Sequence, residues 1–480
     1  MDSSSTLSIV LLLCILTLLS LSPFISSSPT SIILPLEKIT NTQTQSSLST
    51  DPWKTLNHLA STSLIRANHL KNPHKKTTHL STPVYPQSYG GYSVSLTFGT
   101  PPQTSIPFVL DTGSNLVWFP CTDHYICQNC SFSSSSSPSP KSNSVIQSYK
   151  PKLSSSSKLI GCQNPKCSWI HHGSGDDIQS RCQECAPGVT NCAQICPPYL
   201  IIYGSGSTTG LLLSETLHLK PKRVPNFVVG CSRFSLRIPT GIAGFGRGEA
   251  SLPSQLGVNK FSYCLLSHRF DNTEKSTQLV LHTGSGSGDT KTTGVKYTPF
   301  VKNPTGFSVY YYVGLKEITV GGKKVKIPYD FLSLGADGNG GTIVDSGSTF
   351  TFMEGRIFEL VASEIENQVR RNYRRASEVE ISSGLKPCFE LPENHKGMKL
   401  ALPRLSFHFK GGAEMELPLA NYFSIVGNSQ VVCLTIVTNN ADTTRGEGPS
   451  VILGNFQQQN FYTEFDLKNE RFGFRQQTCK

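Results

Sequence analysis

Apolar residues recur at strand-like intervals through most of the chain. Residues 92–98 alternate apolar and polar side chains and run into turn formers at 99–102, which predicts a strand followed by a turn. Further strands are predicted at 108–110, 199–203, 211–219, 226–230, 261–266, 310–320 and 342–344, and a last one ends at Gly454. Glycine-rich turns are expected at 241–248 and 321–322, and a flexible loop at 284–290.

Helical spacing is restricted to short stretches. Residues 354–370 carry apolar side chains at three- and four-residue intervals, and 251–256 fits a short helix. A third periodic stretch includes Leu56, Leu59, Leu64, Ile65 and Leu70. It lies in a Ser/Thr/Asn-rich region, residues 29–83, that otherwise has little strand pattern.

Composition agrees with a strand-dominated protein. The chain has 480 residues, long enough for more than one lobe, and its 40 Gly and 30 Pro suit turns between short strands. The formal net charge is +11, but the basic residues are scattered. One cluster, Arg370, Arg371, Arg374 and Arg375, follows the predicted helix and is interpreted as a solvated face, so we expect no nucleic-acid binding.

The N-terminus predicts export. Residues 7–21 are almost wholly apolar and three serines follow at 26–28, which is typical of a secretory signal over 1–28. The first six residues have no basic side chain, so a signal anchor is the alternative. The run is short for a membrane span, and the C-terminus has no apolar tail of the kind that directs a lipid anchor. We expect secretion and no stable membrane insertion after signal removal.

The cysteines fit an oxidising compartment. Fourteen of the 15 remain once Cys14 leaves with the signal, and an even set at close spacing predicts disulfides. Nine lie in a loop-rich block, 121–196, so at least one should pair outside it. Zinc is the alternative, because Cys127 and Cys130, like Cys182 and Cys185, have ligand spacing. Asn129 heads a sequon and is a predicted glycosylation site, unless Cys130 is bridged first.

One short motif occurs twice. An apolar run leads to Asp111-Thr112-Gly113-Ser114, and a second leads to Asp345-Ser346-Gly347-Ser348. Two adjacent carboxyls cannot both ionise, so they share a proton and can supply a base and an acid to a water molecule that attacks a peptide carbonyl. The glycines allow close approach of the loops, and the hydroxyl residues can orient the carboxylates.

These residues resemble the pepsin-type aspartic endopeptidases over roughly 92–479. Besides the two loops, Trp118 has the family spacing, Tyr203 and Gly204 resemble the flap over the substrate, and 242–244 and 452–454 resemble the segments beneath the catalytic loops. The cysteine-rich block and the stretches 246–248, 252–255 and 455–460 are similar to the plant nepenthesin-like branch.

The resemblance implies an all-β, bilobal fold: two pseudo-symmetric β lobes, a catalytic cleft between them and a few short helices. The lobes would be 84–298, with the insertion 121–196, and 299–480. Residues 29–83 would be a pro-segment, with Lys75 and Lys76 lying across the cleft; a disordered linker is the alternative.

The resemblance also implies roles for single residues. Asp345 would be the base and Asp111 the acid of an acid-acting endopeptidase. Thr112 and Ser346 would tie the loops together, Ser114 and Ser348 would hold the outer carboxylate oxygens, and Tyr203, Gly204 and Trp118 would shape the pocket. The first disulfides expected are Cys388 with Cys433 and Cys264 with Cys479, and no metal or cofactor is expected.

Two other classes of protein are alternatives to an endopeptidase of this family. A non-catalytic relative, a binding or inhibitor protein with the same fold, is the main alternative, although Asp111, Asp345 and Tyr203 are all present. A homodimeric retroviral-type protease does not fit two unlike loops in one chain. We therefore expect a secreted monomer that acts on proteins or peptides, in the cell wall or apoplast, with the vacuole as a second possible destination.

Overall fold

The computed structural model describes the residues from the N-terminal region to the C-terminus with gaps: 30–38, 52–71, 90–130, 147–171, 181–185, 192–204, 206–219, 222–238, 240–267, 276–283, 291–304, 309–392, 400–425, 430–439 and 446–480. Predictions for the signal 1–28, for Lys75 and Lys76, and for the loop 284–290 lie outside these ranges.

Strands dominate the described residues, as the all-β prediction requires. In the first half of the chain they are β1 Thr30–Lys38, β2 Tyr92–Phe98, β3 Ile106–Asp111, β4 Trp118–Pro120, β5 Ile126–Gln128, β6 Lys158–Leu159, β7 Tyr199–Tyr203, β8 Gly206–Leu219, β9 Lys222–Leu236, β10 Gly241–Gly244, β11 Val258–Cys264 and β12 Thr277–Thr283.

The second half continues with shorter strands. They are β13 Lys296–Pro299, β14 Tyr312–Val313, β15 Leu315–Val320, β16 Lys323–Lys324, β17 Thr342–Val344, β18 Thr351–Met353, β19 Cys388–Glu390, β20 Leu405–Phe409, β21 Glu414–Glu416, β22 Phe423–Ile425, β23 Val431–Leu434, β24 Ile436–Val437, β25 Val451–Leu453, β26 Phe461–Asp466 and β27 Arg471–Gln476.

The largest sheet joins the two halves. Among the described strands its order is β13-β27-β26-β11-β12-β1-β2-β3-β10-β4-β9-β8-β6. The junction is the antiparallel pair β11 and β26, in which Phe261 lies opposite Phe465 and their rings stack with centroids 4.5 Å apart. Three smaller sheets belong to the second half, and one of them, β14-β17-β25-β18-β24, contains the strand that leads to Asp345.

The same local arrangement occurs in both halves. Strand β10 runs parallel to β3 with Gly244 opposite Asp111, and β25 runs parallel to β17 with Leu453 opposite Val344. The expectation of a turn over 241–248 is wrong for β10. Its glycines serve close packing instead, since a Cβ on Gly241 would lie 2.5 Å from the carbonyl oxygen of Trp118.

The described residues contain few helices, as expected, but two of them are longer than the short helices expected, with 20 residues in the first and 15 in the fourth. They are α1 Pro52–Lys71, α2 Leu252–Leu256, α3 Tyr329–Leu332, α4 Gly355–Val369 and α5 Ser377–Ser383, with short 3₁₀ turns at Pro151–Leu153, Pro165–Trp169, Gln183–Cys185 and Leu419–Asn421. None of the helices in the described ranges combines the length and hydropathy that a membrane span needs. The predicted helices at 251–256 and 354–370 are confirmed, the first with Ser251 as its N-cap.

Strand β1 corrects the expectation of little strand structure in 29–83. It lies inside the large sheet, between β12 and β2. Ile32, Leu34 and Leu36 are buried while Ile33 is 51% exposed, so the side chains alternate as in a half-buried strand. Residues expected to be removed as a pro-segment are therefore an integral part of this fold.

Helix α1 confirms the periodic stretch in the same region, and a disordered linker is wrong for residues 52–71. Leu56, Leu59 and Leu70 are at most 2% exposed and pack in one cluster with second-half residues such as Phe350 and Ile452. Full burial of a leucine stabilises by about 1.5–3 kcal/mol, so this apolar face contributes to the attachment of the helix to the body of the protein.

Seven disulfides use all fourteen cysteines that follow Cys14. They are Cys121–Cys231, Cys127–Cys130, Cys162–Cys182, Cys167–Cys196, Cys185–Cys192, Cys264–Cys479 and Cys388–Cys433. The first confirms that the block 121–196 pairs outside itself, and the last two are the pairs that the resemblance suggested. The sulfurs of both zinc-like motifs are bonded in disulfides. Asn129 is exposed beside the bridged Cys130.

Candidate active site

The first aspartate loop begins where β3 ends. Asp111 is 1% exposed and closes the strand. Its Oδ1 accepts from the backbone N–H of Gly113 at 2.9 Å, and its Oδ2 accepts from the hydroxyl of Ser114 at 2.5 Å. The carboxylate is thus fixed by Gly113 and Ser114 of the same motif, and Ser114 holds the outer oxygen.

The second loop repeats this geometry. Asp345 is completely buried, and its backbone N–H donates to the carbonyl of Leu453 in the parallel strand β25. Its Oδ1 accepts from the N–H of Gly347 at 3.0 Å, and its Oδ2 accepts from the hydroxyl of Ser348 at 2.6 Å. The two copies of the motif therefore build the same hydrogen-bonded carboxylate.

Thr112 and Ser346 link the two loops by four reciprocal hydrogen bonds. Each backbone N–H donates to the other residue's hydroxyl oxygen, at 3.1 Å from Thr112 and 2.9 Å from Ser346. Each hydroxyl in turn donates to a carbonyl of the opposite strand, that of Thr112 to Val344 and that of Ser346 to Leu110, at 3.0 and 2.9 Å. All four groups are buried, so the loops are held in one relative position.

The glycines of the motif set how closely the loops approach. A Cβ on Gly113 would lie 2.7 Å from Oδ1 of Asp345, and a Cβ on Gly347 would come even closer to Oδ1 of Asp111. Each glycine therefore leaves room for the carboxylate of the opposite loop. Any side chain at either position would separate the two aspartates.

Arg66, on helix α1, lies between the two carboxylates. Its Nη2 donates to Oδ1 of Asp111 at 2.5 Å and to Oδ1 of Asp345 at 3.0 Å, and its Nε donates to Oδ2 of Asp345 at 2.7 Å. The expectation placed a basic side chain across the cleft, and the structure places Arg66 there. Lys75 and Lys76, the residues expected, are outside the described ranges.

The two carboxyls have different environments. Burial raises the pKa of Asp111, and the neighbouring charge of Asp345 adds to this rise, against the opposing charge of Arg66. Burial also acts to raise the pKa of Asp345. There the charge and hydrogen bond of Arg66, with those from Ser348 and Gly347, outweigh burial and hold the pKa below its ordinary value. In this state Asp111 is the more readily protonated member of the pair.

The predicted flap residues, Tyr203 and Gly204, lie close to Arg66 and Asp111. The hydroxyl of Tyr203 accepts a hydrogen bond from Nε1 of Trp118 at 2.8 Å, and both side chains are buried. Gly204 contacts α1 directly, because a Cβ there would lie 1.9 Å from Cα of Arg66. The flap is therefore closed on the helix.

Two residues at the site were not predicted. Asn455 donates from Nδ2 to the carbonyl of Ser346 at 3.0 Å and so supports the second loop from below. Arg66 carried a signal that was overlooked: it lies ten residues after Leu56 and seven after Leu59, on the apolar face of α1. A charged residue on a buried helix face needs a partner of opposite charge.

Comparison with known proteins places the chain among relatives of this architecture. Its first part, 92–281, matches the family model described as xylanase inhibitor N-terminal, and 310–476 matches xylanase inhibitor C-terminal. Three solved structures share the fold at 15–19% identity. Edgp has a TM-score of 0.61 over 94% of this chain and 95% of its own, and basic 7S globulin from soybean has 0.57 over 93% and 95%.

Sequence relatives identify the family. A probable aspartyl protease of Arabidopsis thaliana is 33% identical, over 83% of this chain and 84% of its own length. Aspartic proteinase nepenthesin-2 of Nepenthes gracilis is 32% identical, over 84% of this chain and 81% of its own. The fold and the paired loops define a bilobal pepsin-like protein. The chain belongs to the pepsin-type aspartic protease family, in its nepenthesin-like branch.

Proposed function

We propose that this protein is a secreted aspartic endopeptidase that hydrolyses peptide bonds at acid pH by means of Asp111 and Asp345. The observation that carries the proposal is the pair of buried carboxylates, each held by its own serine and glycine and joined through Thr112 and Ser346. Family membership alone does not carry it, because proteins of one fold can differ in activity.

The proposed chemistry uses one proton shared by the pair. Ionised Asp345 removes a proton from a water molecule as its oxygen attacks the peptide carbonyl, while protonated Asp111 donates to the carbonyl oxygen. The resulting diol intermediate breaks its C–N bond as the amine takes a proton from Asp345, and Asp111 recovers its own from a hydroxyl. The pKa directions, raised for Asp111 and lowered for Asp345, favour this assignment in the state with Arg66 bound.

The full-length chain would be a zymogen, with residues 29–83 as its pro-segment. Arg66 occupies the space between the carboxylates where the water and carbonyl would react, and the flap residue Gly204 packs on its backbone. Cleavage after residue 83 and loss of α1 would then open the cleft between the proposed lobes 84–298 and 299–480.

Other features support export. Fourteen cysteines in seven disulfides suit an oxidising compartment, and residues 7–21 have the character of a secretory signal. We propose a secreted, monomeric protein of the cell wall or apoplast, with the vacuole as a second possible destination, glycosylated at Asn129. Its substrates would be proteins or peptides.

The second candidate is an inactive binding or inhibitor protein. The observation in its favour is the family models, both of which are described as xylanase inhibitor domains. The complete dyad, with Tyr203 in the flap, favours the enzyme.

Digestion of an unfolded protein separates the two candidates. After acid treatment, the purified wild-type chain should cut the substrate at acid pH, a statine-type transition-state mimic should block cleavage, and Asp111→Asn should be inactive. A wild-type chain that cuts nothing in a broad peptide library, with its pro-segment demonstrably released, would favour the inhibitor.

A further inference from the structure

Besides Arg66, helix α1 carries a second buried cation, Lys71, which pairs with Glu354. The ammonium of Lys71, the last residue of the helix, lies 3.2 Å from Oε1 of Glu354, and both side chains are 4% exposed. A buried charge needs a partner of opposite charge, because water no longer solvates it.

The carboxylate of Glu354 is positioned independently of Lys71. Oε1 accepts from the backbone N–H of Gly446, and Oε2 accepts from the hydroxyl of Ser450 at 2.6 Å. The backbone N–H of Glu354 also donates to the carbonyl of Ser450 at 2.9 Å. None of these partners belongs to α1, so the carboxylate is fixed by the second half of the chain itself.

Two further residues lie against Lys71, one at its ammonium and one at its backbone. The ring of Phe352 lies with its centroid 5.2 Å from Nζ of Lys71, within cation–π range. Gly448 gives the backbone room, because a Cβ there would lie 2.3 Å from Cα of Lys71. The carboxylate and the aromatic face surround the ammonium, and Gly448 makes room for the main chain that carries it.

Lys71 lies on the same helix as Arg66, which contacts both carboxylates. Lys71 follows Arg66 by five residues, which is about 7.5 Å along a helix axis. An extended peptide covers that distance in roughly two residues. A substrate with its scissile bond between Asp111 and Asp345 could therefore reach Glu354 with a side chain two to four residues from that bond.

We propose that Glu354, with Phe352 and Gly448, forms a subsite for a lysine or arginine side chain of the substrate, and that Lys71 occupies this subsite in the full-length chain. The inference rests on the proposed endopeptidase activity and adds a substrate class to it. Once α1 leaves, the fixed carboxylate faces the cleft without its cation, and a basic substrate residue restores the pair.

The test compares matched peptides on the activated protein. Peptides that differ only by lysine or norleucine are scanned over the four positions on each side of the scissile bond, and kcat/KM is measured for each. At one position lysine should be preferred by about 10- to 100-fold, as expected for a hydrogen-bonded charge. In Glu354→Gln the ratio at that position should fall to about one, whereas Glu447→Gln, a neighbouring exposed carboxylate, should keep it.

The possible outcomes are distinct. Cleavage with no lysine preference at any position overturns the proposed subsite but not the proposed endopeptidase activity. An equal loss of lysine preference in Glu354→Gln and Glu447→Gln has the same meaning. If no peptide is cut, the proposed function fails, and the subsite is tested by binding instead. Calorimetry, which needs no turnover, then compares two statine peptides, one with lysine and one with norleucine two to four residues from the statine. Tighter binding of the lysine peptide supports the subsite, and equal or absent binding of both overturns it.

Discussion

Nε of Arg66 donates to Oδ2 of Asp345 over 2.7 Å, although 279 positions of sequence separate the two residues. The bond joins a helix from the predicted pro-segment to the second aspartate loop. Because both groups are buried, removal of one leaves an uncompensated charge at a cost of about 3–5 kcal/mol. The helix and the two aspartates are therefore energetically coupled.

Arg66→Gln should weaken this coupling and shorten the time to activation. The variant keeps the leucine contacts of α1 but loses the charge between the carboxylates, so the uncut chain should begin to cleave peptide at a pH where the wild type stays silent. The measurement is peptide cleavage by the uncut chain against time and pH. Arg371→Gln, which changes an exposed arginine, is the control; identical time courses for all three proteins would contradict autoinhibition by Arg66.

Acid should release α1 from the cleft. The pKa of Asp345 lies below its ordinary value of 3.8, so its contribution to holding Arg66 is fully present above about that pH and is lost as the pH falls through the lower folded value. Asp111 has a raised pKa and takes up its proton earlier, which leaves Asp345 as the last anion to hold the helix. Hydrogen-exchange protection factors for residues 52–71 should therefore collapse below the ordinary aspartate pKa.

The same experiment contains its own control. In Arg66→Gln the acid-dependent loss of protection should be much smaller, because the charge that responds to the carboxylates is missing. A wild-type helix that keeps its protection through the acid range would show that the apolar contacts of Leu56, Leu59 and Leu70 decide its retention.

Thr112→Val should destabilise the junction of the loops. Valine has the same shape but leaves the N–H of Ser346 and the carbonyl of Val344 without their partner, at about 1–3 kcal/mol for each unsatisfied buried group. Urea unfolding should show the loss. Thr104→Val, an exposed site, should change little. Full additivity with Ser346→Ala would contradict a shared network.

Tyr203→Phe should impair the flap. The change removes the acceptor for Nε1 of Trp118 and leaves a buried donor unpaired. We expect kcat/KM of the activated enzyme to fall by about tenfold, since 1.4 kcal/mol corresponds to that factor. Tyr329→Phe, at a side chain that is 72% exposed, is the matched control. Equal kinetics for both variants and the wild type would exclude a role for this bond.

The sequence predicted the dyad because the information is local. Each aspartate of the pair is followed, within three residues, by the glycine and serine that bind it. Four consecutive residues therefore specify half of the geometry, and the repetition of the motif specifies the other half. The helices α2 and α4 were predictable for the same reason, since capping and apolar spacing are properties of one segment.

The features that the sequence did not predict depend on contacts between residues far apart in the chain. Strand β1 is stabilised by neighbours far away in sequence, β12 and β2, so its three buried residues give only a weak local signal. Residues 241–244 look like a turn by composition and become a buried strand because Trp118 and β3 pack against them. Lys75 and Lys76 were predicted in place of Arg66 because two adjacent lysines stand out in the sequence. Which charge becomes buried is decided instead by its position on the face of the helix.

The central claim is that Asp111 and Asp345 together perform peptide hydrolysis. The most direct measurement is the initial rate of peptide cleavage at acid pH by the activated wild type and by Asp345→Asn, with Asp330→Asn, an exposed site, as control. We predict a rate lower by at least about 10²- to 10⁴-fold for Asp345→Asn and an unchanged rate for the control. An Asp345→Asn protein that cuts the peptide as fast as the wild type would contradict the account.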